Sequence, residues 1–170
     1  MARARHLANR QGITLVDLLL GTMLLVSGTA ATVLALQQSS RYGDFLAQRQ
    51  VALYAVHGRL EQLTAIDVET LWNDPVYAPA RALGGLAEPQ PLSDLPEAML
   101  TIQIRNADPL DAVNPALLDV QVAFCWRYSG WLVTGEDVNC DGVLDALEDA
   151  NGNQWMDAPV AVSTRLARHE

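Results

Sequence analysis

The chain has 170 residues, half of them apolar, with twenty acidic side chains against eleven arginines and no lysine, for a net charge of −9. That balance leaves no basic face for phosphates and excludes an ordinary nucleic-acid binder. The length suits one domain with an appendage, and the two cysteines, Cys125 and Cys140, allow one disulfide if the domain is exported.

Residues 1–12 carry Arg3, Arg5 and Arg10 and no acid. The run from Ile13 to Leu36 is apolar and 24 residues long, enough for a bilayer-spanning helix, and its basic flank marks the cytoplasmic side. A secretory signal has a shorter apolar core, about 7–15 residues, before a small-residue cleavage site of the kind Ala30 and Ala31 would offer. One acid, Asp17, lies in the run. A carboxylate in hydrocarbon costs about 2.5–3.5 kcal/mol, so it needs a reason to be there. Gly21 and Gly28 suit close helix packing or are tolerated glycines of a membrane helix. Beyond Leu36, apolar residues recur at helical spacing: Tyr42, Phe45/Leu46, Ala52/Leu53, Val56, Leu60 and Leu63. Proline is absent before Pro75, so one helix over 13–66 is predicted, with an apolar half (13–36) and an amphipathic half (37–66).

Arg10-Gln11-Gly12 followed by Ile13-Thr14-Leu15-Val16-Asp17-Leu18-Leu19 resembles the cleavage-and-methylation segment of type IV prepilins and type II secretion pseudopilins. That family has phenylalanine at the first mature position and glutamate at the fifth; Ile13 and Asp17 match in type. The resemblance implies a prepilin peptidase cutting between Gly12 and Ile13 and methylating the Ile13 amine. It implies that Asp17 pairs with that amine on a neighbouring subunit during assembly, since a carboxylate among packed helices needs an opposite charge. The simpler reading of Asp17 is an acid near the membrane edge that reaches water. The family's fold is α+β: pilin-like, one long N-terminal helix packed on a small antiparallel sheet. Its members are single-pass inner-membrane proteins with a periplasmic head, later built into a pilus or pseudopilus through the helix. The partners implied are other pilin or pseudopilin subunits, the peptidase and the inner membrane.

The globular part is expected over 67–170. Five prolines and Gly84-Gly85 mark 67–98 as loop or short helix. Trp72 and Tyr77 there are either anchors onto the sheet or ordinary core. Strands are predicted within 99–135: Leu100, Ile102 and Ile104 alternate with polar residues, as do Leu118, Val120, Val122, Phe124 and Trp126. Tyr128-Ser129-Gly130 reads as a turn, Trp131 to Thr134 as a short return strand, and 159–167 as the last strand.

Between them lie seven acids, Glu136 to Asp157, with no basic residue. Asp137-Val138-Asn139-Cys140-Asp141-Gly142-Val143-Leu144-Asp145-Ala146-Leu147-Glu148 fits the calcium-loop pattern D-x-[DN]-x-[DN]-G-x5-E in full. Asp137, Asn139, Asp141 and Asp145 are the side-chain ligands expected, with the Val143 carbonyl, and Glu148 closes the shell. A weaker copy follows at Asp149, Asn151, Asn153 and Asp157, in which Gln154 replaces the glycine and Val160 stands at the closing position. With the Trp155 carbonyl it holds a second ion at lower affinity, or it shares Glu148, or it is an Asn/Gly-rich turn. Some pseudopilins bind calcium in a comparable C-terminal loop. Cys125 and Cys140 either bond, tying the hairpin to this loop at about 3 kcal/mol of closure entropy, or remain free thiols.

The three histidines, His6, His57 and His169, are scattered, and no nucleophile–base pair, phosphate loop or zinc spacing is present. The expectation is a non-enzymatic structural subunit, a minor pilin or pseudopilin with a calcium-stabilised head. The alternative is a signal-anchored, single-pass calcium-binding adhesin or ligand-binding module.

Overall fold

The computed structural model describes residues 14–168 apart from 109, 112, 129–131 and 134. Gly12 and Ile13, the expected processing site, lie outside the described residues. The chain divides between Gly43 and Asp44 into two units.

The first unit is the leading part of helix α1 (Leu15–Thr64). Thr14 caps it. The Thr14 N–H and hydroxyl both donate to Asp17 Oδ2, at 3.1 and 2.7 Å, and the Asp17 N–H donates back to Thr14 Oγ1 at 3.2 Å. This is a capping box built with aspartate. Residues 14–43 are exposed throughout, including Leu15, Leu18, Met23, Leu24 and Leu36. The few hydroxyls in the apolar run need no outside partner. Thr22, Ser27, Thr29 and Thr32 each donate to a carbonyl one turn back, at 2.8–3.0 Å. That self-satisfaction is what a helix in hydrocarbon requires. Nothing lies within 4 Å of where a Cβ would stand on Gly21 or Gly28. By length and composition α1 can cross a membrane.

The second unit contains the rest of α1, the short helices α2 (Val68–Asn73) and α3 (Ala78–Arg81), and six strands. β1 (Leu86–Leu92), β2 (Leu95–Asn106), β3 (Leu117–Cys125) and β6 (Val160–Ala167) form one antiparallel sheet in the order β1-β2-β3-β6. β4 (Arg127–Tyr128) and β5 (Leu132–Val133) make a separate two-stranded ribbon. The α+β layout of one long helix and an antiparallel sheet is therefore the expected one.

Three details differ from expectation. Part of 67–98 is sheet: β1 and the start of β2 occupy it, joined by a two-residue turn at Ser93-Asp94. Pro89 and Pro91 had argued against a strand, but β1 is an edge strand, where a missing N–H costs no ladder bond. The strand beginning at Leu118 does not run on through Arg127, because it breaks at Trp126 before the ribbon starts. The buried stripe of α1 is also shorter than the periodicity indicated. Ala52, Val56, Leu60 and Leu63 are buried and Phe45 is half-buried, while Tyr42 and Leu46 are exposed.

The sheet has two covered faces. On one, Leu100, Ile102, Ile104, Val120, Val122 and Phe124 pack in a single core with the α1 stripe. The Trp126 indole N–H donates to Gln48 Oε1 of α1 at 3.0 Å, and its ring lies 5.9 Å from Phe45. Arg59 of α1 makes a bidentate pair with Glu88 of β1 at 2.9 and 2.6 Å. Tyr77 belongs to this core. Trp72 is half-buried, and its indole N–H reaches the Val113 carbonyl at 3.0 Å. The opposite face is polar, and the acidic segment covers it.

Candidate metal centre

Cys125 and Cys140 are joined by a disulfide with Cα atoms 5.8 Å apart, which fastens the end of β3 to the first acidic loop. Among the described residues, one group of three His, Cys, Asp or Glu side chains brings its ligand atoms within 4.8 Å of one another: Cys125, Asp137 and Cys140. It is not a thiolate site, because the disulfide consumes both sulfurs. Cys125 Sγ stands 3.4 Å from Asp137 Oδ2 and has no proton to donate.

The first loop is folded by its own side chains. Asp137 Oδ2 accepts the Gly142 N–H at 2.8 Å and Oδ1 accepts the Asp141 N–H at 3.2 Å. Asn139 Oδ1 accepts the Asp141 N–H at 2.9 Å, and Asp141 Oδ1 accepts the Val143 N–H at 2.9 Å. Glu148 turns back across the loop to the N–H groups of Val138 and Asp145, at 3.0 and 3.2 Å. Gly142 is required twice over. Its φ is +80°, and a Cβ there would stand 2.7 Å from the Ala87 Cβ. Asp145 and Val143 lie on the loop at their expected positions, with the Asp145 side chain exposed.

Asp137 has no solvent exposure. Burial pushes its carboxyl above the usual range and the Glu148 charge adds to the rise, while N–H groups of Gly142, Asp141 and Cys140 oppose it. No basic side chain pairs with it among the described residues. A buried carboxylate without a cationic partner is costly, and a bound ion would supply that partner. The donors are all oxygens, from carboxylates, amide and main chain, which suits a hard cation of the calcium type.

The loops are pegged to the sheet's polar face by residues whose part the sequence left unseen. Thr101 Oγ1 donates to the Gly142 carbonyl at 2.9 Å. Gln103 donates to the carbonyls of Leu83 and Gln154, both at 3.2 Å, and accepts the Met156 N–H at 2.8 Å. Gln121 donates to the Met156 carbonyl at 2.7 Å. Arg105 donates to the Asn153 carbonyl at 3.1 Å and also to that of Gln154, and its guanidinium lies 3.8 Å above the Trp155 ring. Leu144 and Met156 pack together on Ala123 as a second, small apolar cluster. Alternation along β2 and β3 had marked these polar residues as one face; burial of Thr101, Gln103 and Gln121 was the hidden part.

Comparison with known proteins finds no match: no family model, curated protein or solved structure corresponds to this chain.

Proposed function

We propose that the chain is a pilin-like structural subunit, a minor pilin or pseudopilin of a type IV pilus or type II secretion pseudopilus, with a head stabilised by calcium. The observation that carries this reading is α1. Residues 15–36 are apolar and uncovered, while its last turns lie in the head's core. So large an apolar surface needs a bilayer or the helices of other subunits to cover it. In this reading residues 13–36 first anchor the chain in the inner membrane, with the head in the periplasm. They then pack among neighbouring helices, and Asp17 faces the methylated Ile13 amine of the next subunit. The first loop holds calcium through Asp137, Asn139, Asp141, Asp145, Glu148 and the Val143 carbonyl, and so docks the segment that leads into β6. The role is assembly rather than catalysis.

Intact mass measured from a host that carries the prepilin peptidase tests the assembly reading. Loss of residues 1–12 with gain of one methyl group is expected. A retained leader, or a cut near Ala31, sinks it.

One observation favours the second reading, a signal-anchored calcium-binding adhesin. The Asp17 carboxylate already has a local task in the cap with Thr14, and that task needs no neighbour. The same mass measurement separates the two.

A further inference from the structure

The second loop, Asp149 to Asp157, repeats three of the first loop's turn bonds, twelve residues on. The N–H of Gln154 donates to Asp149 Oδ2 at 3.0 Å, as that of Gly142 does to Asp137. The N–H of Asn153 donates to Asn151 Oδ1 at 2.8 Å, as that of Asp141 does to Asn139. The N–H of Trp155 donates to Asn153 Oδ1 at 2.6 Å, as that of Val143 does to Asp141. Gln154 stands where the pattern wants glycine, yet it takes the same left-handed turn, with φ +65°. The carbonyls of Gly142 and Gln154 are both held by side chains of β2.

What the second loop lacks in sequence is an acid at its twelfth position, where Val160 stands buried at the start of β6. The fold supplies one from elsewhere. Glu136, one residue before the first loop, accepts the N–H groups of Ala150 and Asp157 at 3.3 and 2.9 Å. Those are the second and ninth positions of the second loop. Glu148 accepts the second and ninth N–H groups of the first loop. The main chain agrees. The Glu136 N–H donates to the Asp157 carbonyl at 2.8 Å, and the Glu148 N–H to the Asp145 carbonyl at 2.9 Å. Each glutamate immediately precedes one loop and closes the other. Independently of these bonds, Asp149 Oδ1 has less than 1 Å² exposed and no hydrogen-bond partner. Arg105 acts on the Asp149 charge, but its guanidinium donates to the Asn153 and Gln154 carbonyls instead, so this shielded oxygen at the first position of the loop is left for a cation.

We propose that Asp149, Asn151, Asn153 and Asp157, with Glu136 as the closing carboxylate, form a second calcium site. The proposal rests on the calcium reading of the first loop. It assigns all seven acids between Glu136 and Asp157: four to the first ion, three to the second. With one carboxylate fewer, the second site binds more weakly.

Native mass spectrometry and calcium titration of the full chain in detergent micelles test it. Wild type binds two ions. Glu136→Gln weakens the second by about 100-fold or more and leaves the first, because loss of a ligand costs at least what loss of a ligand's support does. Glu148→Gln does the reverse. Two ions with unchanged affinities in Glu136→Gln overturn the proposal. One ion in wild type, lost in Glu148→Gln, overturns it while leaving the first loop's reading intact, and no ion at all overturns both. Should Glu136→Gln fail to fold, terbium in place of calcium gives a second readout. Trp155 sits at the second loop's seventh position, so emission excited through tryptophan falls in Trp155→Phe. Undiminished emission in that variant means that no ion lies beside Trp155, and the proposal fails.

Discussion

The same four strands have two covers, and the covers are made of different chemistry. On one face Ile102, Val122 and Phe124 meet Val56 and Leu63 of α1, and the contact is apolar. On the other, Thr101, Gln103 and Gln121 meet the backbone of two acidic loops through directed hydrogen bonds. Apolar burial stabilises whatever the ionic conditions. The polar cover carries seven acids and no basic residue between Glu136 and Asp157, so its carboxylates repel one another until a cation is bound. In the calcium reading proposed above, one face is permanent and the other depends on an ion.

The largest effect that sharpens this contrast belongs to the helix face. Leu63 is fully buried in the main core, and Leu63→Ala should cost about 2–5 kcal/mol of stability. That cost should be the same with and without calcium, within about 0.5 kcal/mol, because Leu63 and the loops pack on opposite faces of the sheet. Denaturant melts of the full chain in micelles measure it. A cost that changes markedly with calcium would mean that the covers are coupled through the sheet.

Removal of calcium comes next. An ion at 100 times its dissociation constant contributes about 2.7 kcal/mol. Hydrogen exchange should then show residues 136–158 losing protection while the β2–β3 ladder keeps it. Equal protection in both conditions would mean that hydrogen bonds alone hold the loops, and the ion would have no structural part.

How much of this was legible depends on the range of the interaction that decides it. Helical spacing and strand alternation are local, so α1, β2, β3 and β6 could be read from neighbouring residues. The turn bonds of the first loop were legible for the same reason, since the pattern that proposes its ligands falls within twelve consecutive residues. Glu136 was not, because its role comes from a chain reversal that places it against Ala150 and Asp157. Pro89 and Pro91 misled for a related reason: whether a strand lies at an edge is a property of the sheet, not of the strand. Thr101 and Gln103 looked like the outer face of a half-solvated sheet, and only the docked loops show them buried.

A smaller effect is expected at Gln103, which makes two bonds to the second acidic loop, at Gln154 and Met156, and one to the Leu83 carbonyl. Gln103→Leu leaves those loop groups without partners, at about 1–3 kcal/mol. More of that cost should fall on the calcium-bound protein, seen as weaker calcium binding, than on the ion-free protein, whose loops are held less firmly. A cost equal in both states would place the loops on the sheet without any ion.

The smallest effect is a matter of sign, and it rests on one carboxyl. In the ion-free protein burial raises the Asp137 pKa above its ordinary value of 3.8. A folded-state value above the unfolded one means that the native protein binds the extra proton between the two. The stabilisation is fully present below 3.8 and is lost as pH rises through the raised value. With calcium bound the order reverses, because the ion needs the carboxylate, so acidification through the same window releases it and stability falls. Melting temperatures of wild type compared with Asp137→Asn isolate this group. Without calcium, wild type should lose ground to the variant as pH rises through that window; with calcium it should gain. Leu63→Ala, on the apolar face, should show neither slope. Slopes of one sign in both conditions would mean that Asp137 answers only to its burial, and that the ion sits elsewhere.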